Sequence, residues 1–238
     1  MPLSRLQKII SESGLFSRRK ADLLIQQGRV TLNGRKAVTG QKANPSFDNI
    51  LVDGKTLPKK LNHKVFLLNK PQGYISSCQD NHGRKTVLDL IPPNLRKGIH
   101  PVVRLDSASR GAILLTKNGE LTLRLTHPKY LHIKTYLVWV IGLSKQSILN
   151  TWRKGIALDG KMTMPAPIDL METINHKTLL KIILKEGPNR QIRKIADLIG
   201  HPVQEDLQRI TISNIKSNGL QEGEWRERKE NEWISLLN

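Results

Sequence analysis

Residues 133–141 read IKTYLVWVI, an apolar run with the alternation of a strand: His132, Lys134 and Tyr136 fall on one face, and Ile133, Leu137, Trp139 and Ile141 on the other. Lys134 and Tyr136 therefore point the same way. Three further strand-like runs, VFLL (65–68), AILLT (112–116) and TLLKIIL (178–184), alternate with shorter helical signals. Hairpin punctuation such as Asn118-Gly119 and longer connections separate them. This pattern predicts an α+β fold, a mixed and mostly antiparallel sheet with helices packed on it, rather than a doubly wound parallel one. There is no internal repeat and no low-complexity segment. The tail, QEGEWRERKENEWISLL (221–237), is expected to end in a short helix with Trp225, Trp233, Leu236 and Leu237 turned inward.

The first 60 residues have a different character. Leu6, Ile9 and Ile10 before Gly14 predict a short amphipathic helix, and Ser17 can cap a second one running through Leu23, Leu24 and Ile25 to Gly28. Val30-Thr31-Leu32 leads into Asn33-Gly34, and Ile50-Leu51-Val52 into Asp53-Gly54, two type I′ hairpin signals. The segment holds 12 Lys and Arg against 4 acids, +8 of the chain's formal +19. A small basic module at 1–60, a linker in PKKLNHK (58–64) and a larger domain at 61–238 are expected. Arg18, Arg19 and Lys20 stand in the first turn of the second helix, where they oppose the macrodipole. A purely structural helix would carry acids there, so these residues read as a footprint for a polyanion, with a plain solvated basic face as the alternative.

The whole chain of 238 residues has 38% hydrophobic and 25% charged residues, an ordinary globular balance. No stretch approaches the ~18 consecutive apolar residues of a membrane span, and MPLSRLQKII is too charged for a signal peptide, so a cytosolic protein is expected. One cysteine, Cys78, excludes an internal disulfide framework, and the seven histidines lack ligand spacing, so no metal is implied. Neither GxGxxG after a strand nor GxxxxGK[ST] occurs, which removes the usual dinucleotide and P-loop sites, and no cofactor is implied. Chemistry is left to side chains.

Three segments of the larger domain make sense together: HPVVRLDSASRG (100–111), HIKTYLVWV (132–140) and LKEGPNRQIRKIADLIGHPV (184–203). Asp106 is a carboxylate in an otherwise apolar and basic stretch, able to act as a nucleophile or to stabilise a cationic sugar centre; alone, it also reads as a turn or capping Asp. Tyr136 can stack on a base and share in proton transfer, or be a half-buried strand residue. Arg193 follows a plausible Asn189 N-cap and stays off the stripe Ile192, Ile195, Ala196, Ile199; a surface pair with Asp197 is its alternative.

The module SRLQKIISESGLFSRRKADLLIQQGRVTLNGR resembles the αL-type RNA-binding domain of a primary-binding ribosomal protein. NKPQGYISS, RLDSASRGAILLTKNGELTLRLTHP, KTY and EGPNRQIRK, in that order, resemble the bacterial ribosomal RNA pseudouridine synthases that carry this domain at their N-terminus. The resemblance covers nearly the whole chain. It implies isomerisation of a specific uridine in ribosomal RNA on a flipped-out base, with Asp106 as catalytic aspartate, Tyr136 as active-site tyrosine and Arg193 as the aspartate's partner. The aspartate can attack the base, attack the ribose or promote a glycal route; the sequence does not choose. Arg104 is then expected to hold the flipped nucleotide or fill the space it leaves, and Lys70, Gly73 and Leu105 to be supporting positions with packing and turn roles rather than direct chemistry. RNA contacts are expected from Arg5, Arg18, Arg19, Lys20, Arg29, Arg35, Arg104, Lys134 and Arg190.

The chain departs from the usual pattern at Val103, where Gly commonly precedes RLD, at Arg110-Gly111, where Gly-Leu commonly follows the loop serine, and at Pro188 and Lys194. These bear on loop geometry and target choice, not on a reacting group. The expected partner is ribosomal RNA or an assembly intermediate; a monomer is expected, with no membrane and no obligate protein partner. A non-catalytic RNA-binding or assembly factor that keeps the fold is the competing class. Double-stranded DNA binding through Arg18-Arg19-Lys20 lacks a dimer signal, and 10 aromatic residues are few for a multi-base stacking platform.

Overall fold

A computed structural model describes residues 3–58, 64–142 and 145–237. It separates into two compact units: Met1–Lys64 with Pro92–Ile99 and Thr116–Gly119, and Val65–Ile91 with His100–Leu115 and Glu120–Asn238. The expected boundary at residue 60, and residues 59–63 of the expected linker, lie outside the described residues.

In the first unit, the helix Leu6–Glu12 buries Leu6, Ile9 and Ile10, and Gly14 follows with a φ of 71°. The helix Arg18–Gln26 starts at Ser17, whose hydroxyl accepts the Lys20 N–H at 3.2 Å. Its inward face is Ala21, Leu24 and Ile25, while Leu23 is exposed, because i, i+3, i+4 spacing from Ala21 leaves residue 23 off the stripe. The two hairpins form as read: Asn33-Gly34 and Asp53-Gly54 each place both turn residues at positive φ, joining Val30–Leu32 to Arg35–Lys36 and Ile50–Val52 to Lys55–Thr56. Val30–Leu32 and Ile50–Val52 then pair antiparallel in a four-stranded sheet that closes over the helices.

The second unit is built on a nine-stranded sheet. Its path runs through strands 168–174, 177–184, 134–141, 203–212, 110–116, 65–70 and 225–228, with 215–216 beside 203–212 and 100–102 beside 110–116. Pairing is antiparallel at 134–141 with both neighbours, at 168–174, at 215–216 and at 225–228, and parallel where 203–212 meets 110–116. The predicted mixed, mostly antiparallel sheet is therefore present. At the parallel pair the backbones come so close that a Cβ on Gly111 would lie 2.2 Å from the Arg209 carbonyl oxygen, so only glycine fits there.

Three local expectations are corrected. Asn118-Gly119 does not turn a hairpin: the Thr116 hydroxyl accepts the Asn118 N–H, and the chain enters the helix Gly119–Thr126. Trp225 lies on the strand Trp225–Arg228 with its ring edge-on to Phe66 at 5.4 Å, while Trp233 and Leu236 are buried in the terminal helical turns. The helix Gln191–Leu198 is not capped by Asn189; its N-cap is Arg190, in a left-handed conformation with no side-chain cap.

The run from 134 to 141 buries Lys134, Thr135, Tyr136, Val138 and Val140, while Leu137 and Trp139 are half-buried and Ile141 is exposed. The helices Gln146–Lys154 and Gln191–Leu198 supply Leu149, Trp152, Ile192, Ile195 and Ala196 to the same cluster as Tyr136, Val138 and Val140.

Val103 has a φ of 55°, a left-handed conformation that a β-branched side chain adopts only under constraint. Val102, its neighbour, is buried in the ordinary extended backbone of a strand. Val102→Ala should cost about 2 kcal/mol. Val103→Gly should cost less than about 0.5 kcal/mol, since relief of roughly 1–2 kcal/mol of left-handed strain offsets the lost packing. Urea unfolding of the two variants checks this, and equal losses would show that no strain is held at Val103.

Candidate active site

The segment from Val103 to Ser109 is a loop between strands 100–102 and 110–116, and it is braced from several directions. Ser76 donates its hydroxyl proton to the Leu105 carbonyl at 2.7 Å and accepts the Leu105 N–H at 3.1 Å. The Gly73 N–H donates to the Ser107 carbonyl at 2.8 Å, and the Lys70 ammonium to the carbonyls of Ser109 at 2.7 Å and Pro71 at 2.9 Å. Arg193 donates through Nη2 to the Ala108 carbonyl at 2.9 Å. The guanidinium of Arg209 donates to the carbonyls of Val103, Arg104 and Ala112. A loop so held presents its side chains in one geometry.

Asp106 is the side chain it presents. Its Oδ2 lies 3.4 Å from Nη1 of Arg190 and 3.7 Å from Nε of Arg193. Oδ1 is buried and takes no hydrogen bond from any described residue, and neither does Nε of Arg193 give one. The carboxylate is thus flanked by two cations on one oxygen and keeps unused acceptor capacity on the other. Arg193 pairs with Asp106 rather than with Asp197. Its side chain is 11% exposed against 44% for Arg190, so the longer of the two contacts is the better shielded from water. Burial pulls the Arg193 pKa down, and Asp106 counters that pull.

Tyr136 joins this loop through packing: it shares a hydrophobic cluster with Leu105, the residue before Asp106. Arg104 is exposed and is held at its backbone. Lys134, expected as an RNA contact, is not on the open surface. It is 7% exposed, because the face it shares with Tyr136 is the covered one, and burial with nearby Arg209 lowers its pKa. Arg5, Arg18, Arg19, Lys20, Arg29 and Arg35 are all exposed in the first unit. Arg29 is committed to Asp53 through two hydrogen bonds of 2.7 Å, which leaves it less available to a phosphate. Arg110 bridges Asp206, at 2.5 and 2.6 Å, and Glu222, at 2.9 Å, and so ties the start of its strand to both.

Sequence reasoning missed Ser76 and Arg209. Ser76 belongs to NKPQGYISS, and nothing in the spelling of that segment distinguishes a loop brace from a turn serine. Arg209 lies in VQEDLQRITI, where charged residues interrupt the strand signal.

Lys70 is fully buried, and desolvation lowers its pKa from the ordinary lysine value to about 8, with Asp106 pulling the other way. Its folded value is below its unfolded one, so between about pH 8 and 10.5 the unfolded chain binds more protons, and stability rises with pH across that window. The unfolding free energy of the protein minus that of Lys70→Met should therefore grow from pH 8 to 10.5 and be flat below. A difference independent of pH throughout would show that the buried ammonium keeps an ordinary pKa.

One braced carboxylate beside two arginines stands on a mixed sheet, in a chain that begins with a basic helix-hairpin module. Residues 64–197 match the RNA pseudouridylate synthase family, residues 4–46 match the S4 domain, and the chain belongs to that synthase family. It is 39% identical over 94% of its length to the ribosomal large subunit pseudouridine synthase B of Bacillus subtilis, covering 92% of that protein. It is 35% identical over 98% of its length to the dual-specificity RNA pseudouridine synthase RluF of Escherichia coli K12, covering 78% of it. A crystal structure of a pseudouridylate synthase superposes with a TM-score of 0.70 at 29% identity, with 98% of this chain and 99% of that one covered.

Proposed function

We propose that this protein isomerises a specific uridine of ribosomal RNA to pseudouridine, with Asp106 as the residue that acts on the extruded nucleotide. The observation that carries this is the Asp106 carboxylate itself, aimed by a five-way braced loop and keeping one buried oxygen free of hydrogen bonds to described residues. In the reaction the N1–C1′ bond of uridine breaks and a C5–C1′ bond forms. C5 releases its proton and N1 takes one up, so the change is balanced without an oxidant or a consumed cofactor. Arg193 aims the carboxylate, Tyr136 stacks against the turned base, and Arg104, exposed on the loop itself, holds the nucleotide or occupies its place in the RNA. Arg190 faces both Asp106 and solvent, a position suited to a phosphate next to the reacting sugar. Ribosomal RNA or a ribosomal assembly intermediate is the expected partner.

Residues 1–60 form the affinity module and 61–238 the catalytic one, a division supported by the charge of the first segment and by the absence of any catalytic candidate from it. Incubation with ribosomal RNA labelled with tritium at uracil C5 tests the function: release of tritium supports it, and binding without release supports the non-catalytic assembly factor. The combined variant Arg18→Ala, Arg19→Ala, Lys20→Ala should raise KM about tenfold and make the salt slope of log Kd shallower by about 2. An unchanged slope would remove this helix from the RNA interface.

A further inference from the structure

We propose that Arg209 is a positioning residue, whose guanidinium ties the backbone preceding Asp106 to the strand that carries Tyr136 and so sets the distance between the two. This rests on the reading of Asp106 and Tyr136 as reacting groups.

Arg209 is 1% exposed, one of the largest fully buried side chains of the protein. Removing a guanidinium from water costs several kcal/mol, and a buried side chain needed only to fill space would be apolar. Among the described residues no carboxylate pairs with it. Its partners are backbone carbonyls instead: Nε donates to Ala112 at 2.8 Å, Nη2 to Val103, and Nη1 reaches Arg104 at 3.5 Å. The fork therefore spans both ends of the loop, the two residues before Leu105-Asp106 and the strand after it.

On the other side, Arg209 is the registered partner of Tyr136 across the antiparallel pair 134–141 with 203–212. Side chains directly opposite one another in such a pair stand on the same face, about 4.5–5.5 Å apart at Cβ. The Tyr136 hydroxyl acts on the same guanidinium, raising the Arg209 pKa against the lowering caused by burial. Gly111 makes the arrangement possible, since any Cβ there would collide with the Arg209 backbone. The left-handed Val103 is the residue whose carbonyl Arg209 holds, so the strained backbone turn and the buried arginine meet at one bond. A lysine in this position could reach one of the three carbonyls but not all, because its ammonium lacks the planar fork.

The test uses the full chain with Arg209→Lys and two readouts, one of them independent of catalysis. Hydrogen exchange of the amides between 103 and 109 should become at least about tenfold faster while the rest of the sheet exchanges at its normal rate. The kcat for tritium release at saturating RNA, measured well below the melting temperature, should fall about 100-fold with KM and RNA Kd within about threefold, as a displacement near 1 Å would cause. A folded variant with normal loop exchange overturns the proposal. So does one with fast exchange and a kcat within twofold of the parent. If Arg209→Lys does not fold, Arg209→Gln, which keeps one NH2 donor for Val103, takes its place; if neither folds, Arg209 serves stability alone and the proposal fails. A parent protein that releases no tritium would count against the assigned function, and the exchange result would still decide whether Arg209 holds the loop.

Discussion

Asp106→Asn protein is expected to release no measurable tritium from labelled ribosomal RNA, a loss of at least about 10⁴-fold, or ~5.5 kcal/mol of barrier. The amide keeps the shape of the carboxylate and can still be held by the loop, whose braces all engage backbone atoms around it rather than the side chain. The negative charge and nearly all of the nucleophilicity are gone. RNA affinity should stay within about threefold, because phosphate contacts elsewhere supply most of the binding energy. Tritium release and filter binding on the same preparation separate the two effects, and an active Asp106→Asn protein would eliminate the aspartate mechanism.

Arg193→Met should lower kcat by about 10²–10³, the size expected for loss of one well-shielded electrostatic contact in an active site. Methionine approximates the length of the arginine stem and keeps the helix in place, where Ile192, Ile195 and Ala196 do the packing. Three interactions disappear together: the ion pair with Asp106 and the hydrogen bonds to the Ala108 carbonyl and the Ser109 hydroxyl. Arg190→Met removes the shorter contact to Asp106 but from a side chain largely in water, so its effect should be near tenfold and should appear mainly in KM. The comparison is decisive because the distances alone favour Arg190 and the burial favours Arg193. If Arg190→Met lost more kcat than Arg193→Met, the exposed arginine would be the partner that aims the carboxylate.

Local signals carried the reading of the first unit almost completely. Asn33-Gly34 and Asp53-Gly54 need only their own backbone preferences to form type I′ turns, and Ser17 needs only the helix that follows it. The same logic failed at Asn118-Gly119, where the Thr116 hydroxyl offered the chain a helix entry instead, and at Asn189, where Arg190 took the left-handed cap. Asp106, Tyr136 and Arg193 stood out as candidates because a carboxylate, a phenol and a guanidinium have recognisable uses in those segments. Their supports were not: Ser76 is 29 residues from Leu105 and Arg209 is 106 from Val103. Such contacts leave no trace in spacing.

The sequence by itself determined the existence of the strands 65–70, 110–116, 134–141 and 177–184, the two hairpins and the basic module, and it supplied the candidates for the reacting groups. These follow from periodicity, turn chemistry and charge, all of which act between residues close in the chain. Tertiary structure alone decided which face of 134–141 is buried. The alternation offered Ile133, Leu137, Trp139 and Ile141 as an apolar face, yet helices 146–154 and 191–198 pack on the opposite one, against Tyr136, Val138 and Val140. It also decided the parallel pairing of 203–212 with 110–116, which brings Arg209 against Gly111 and under the Asp106 loop. The physical reason is that a strand has two faces of nearly equal local preference, and only the area buried against distant elements breaks the tie.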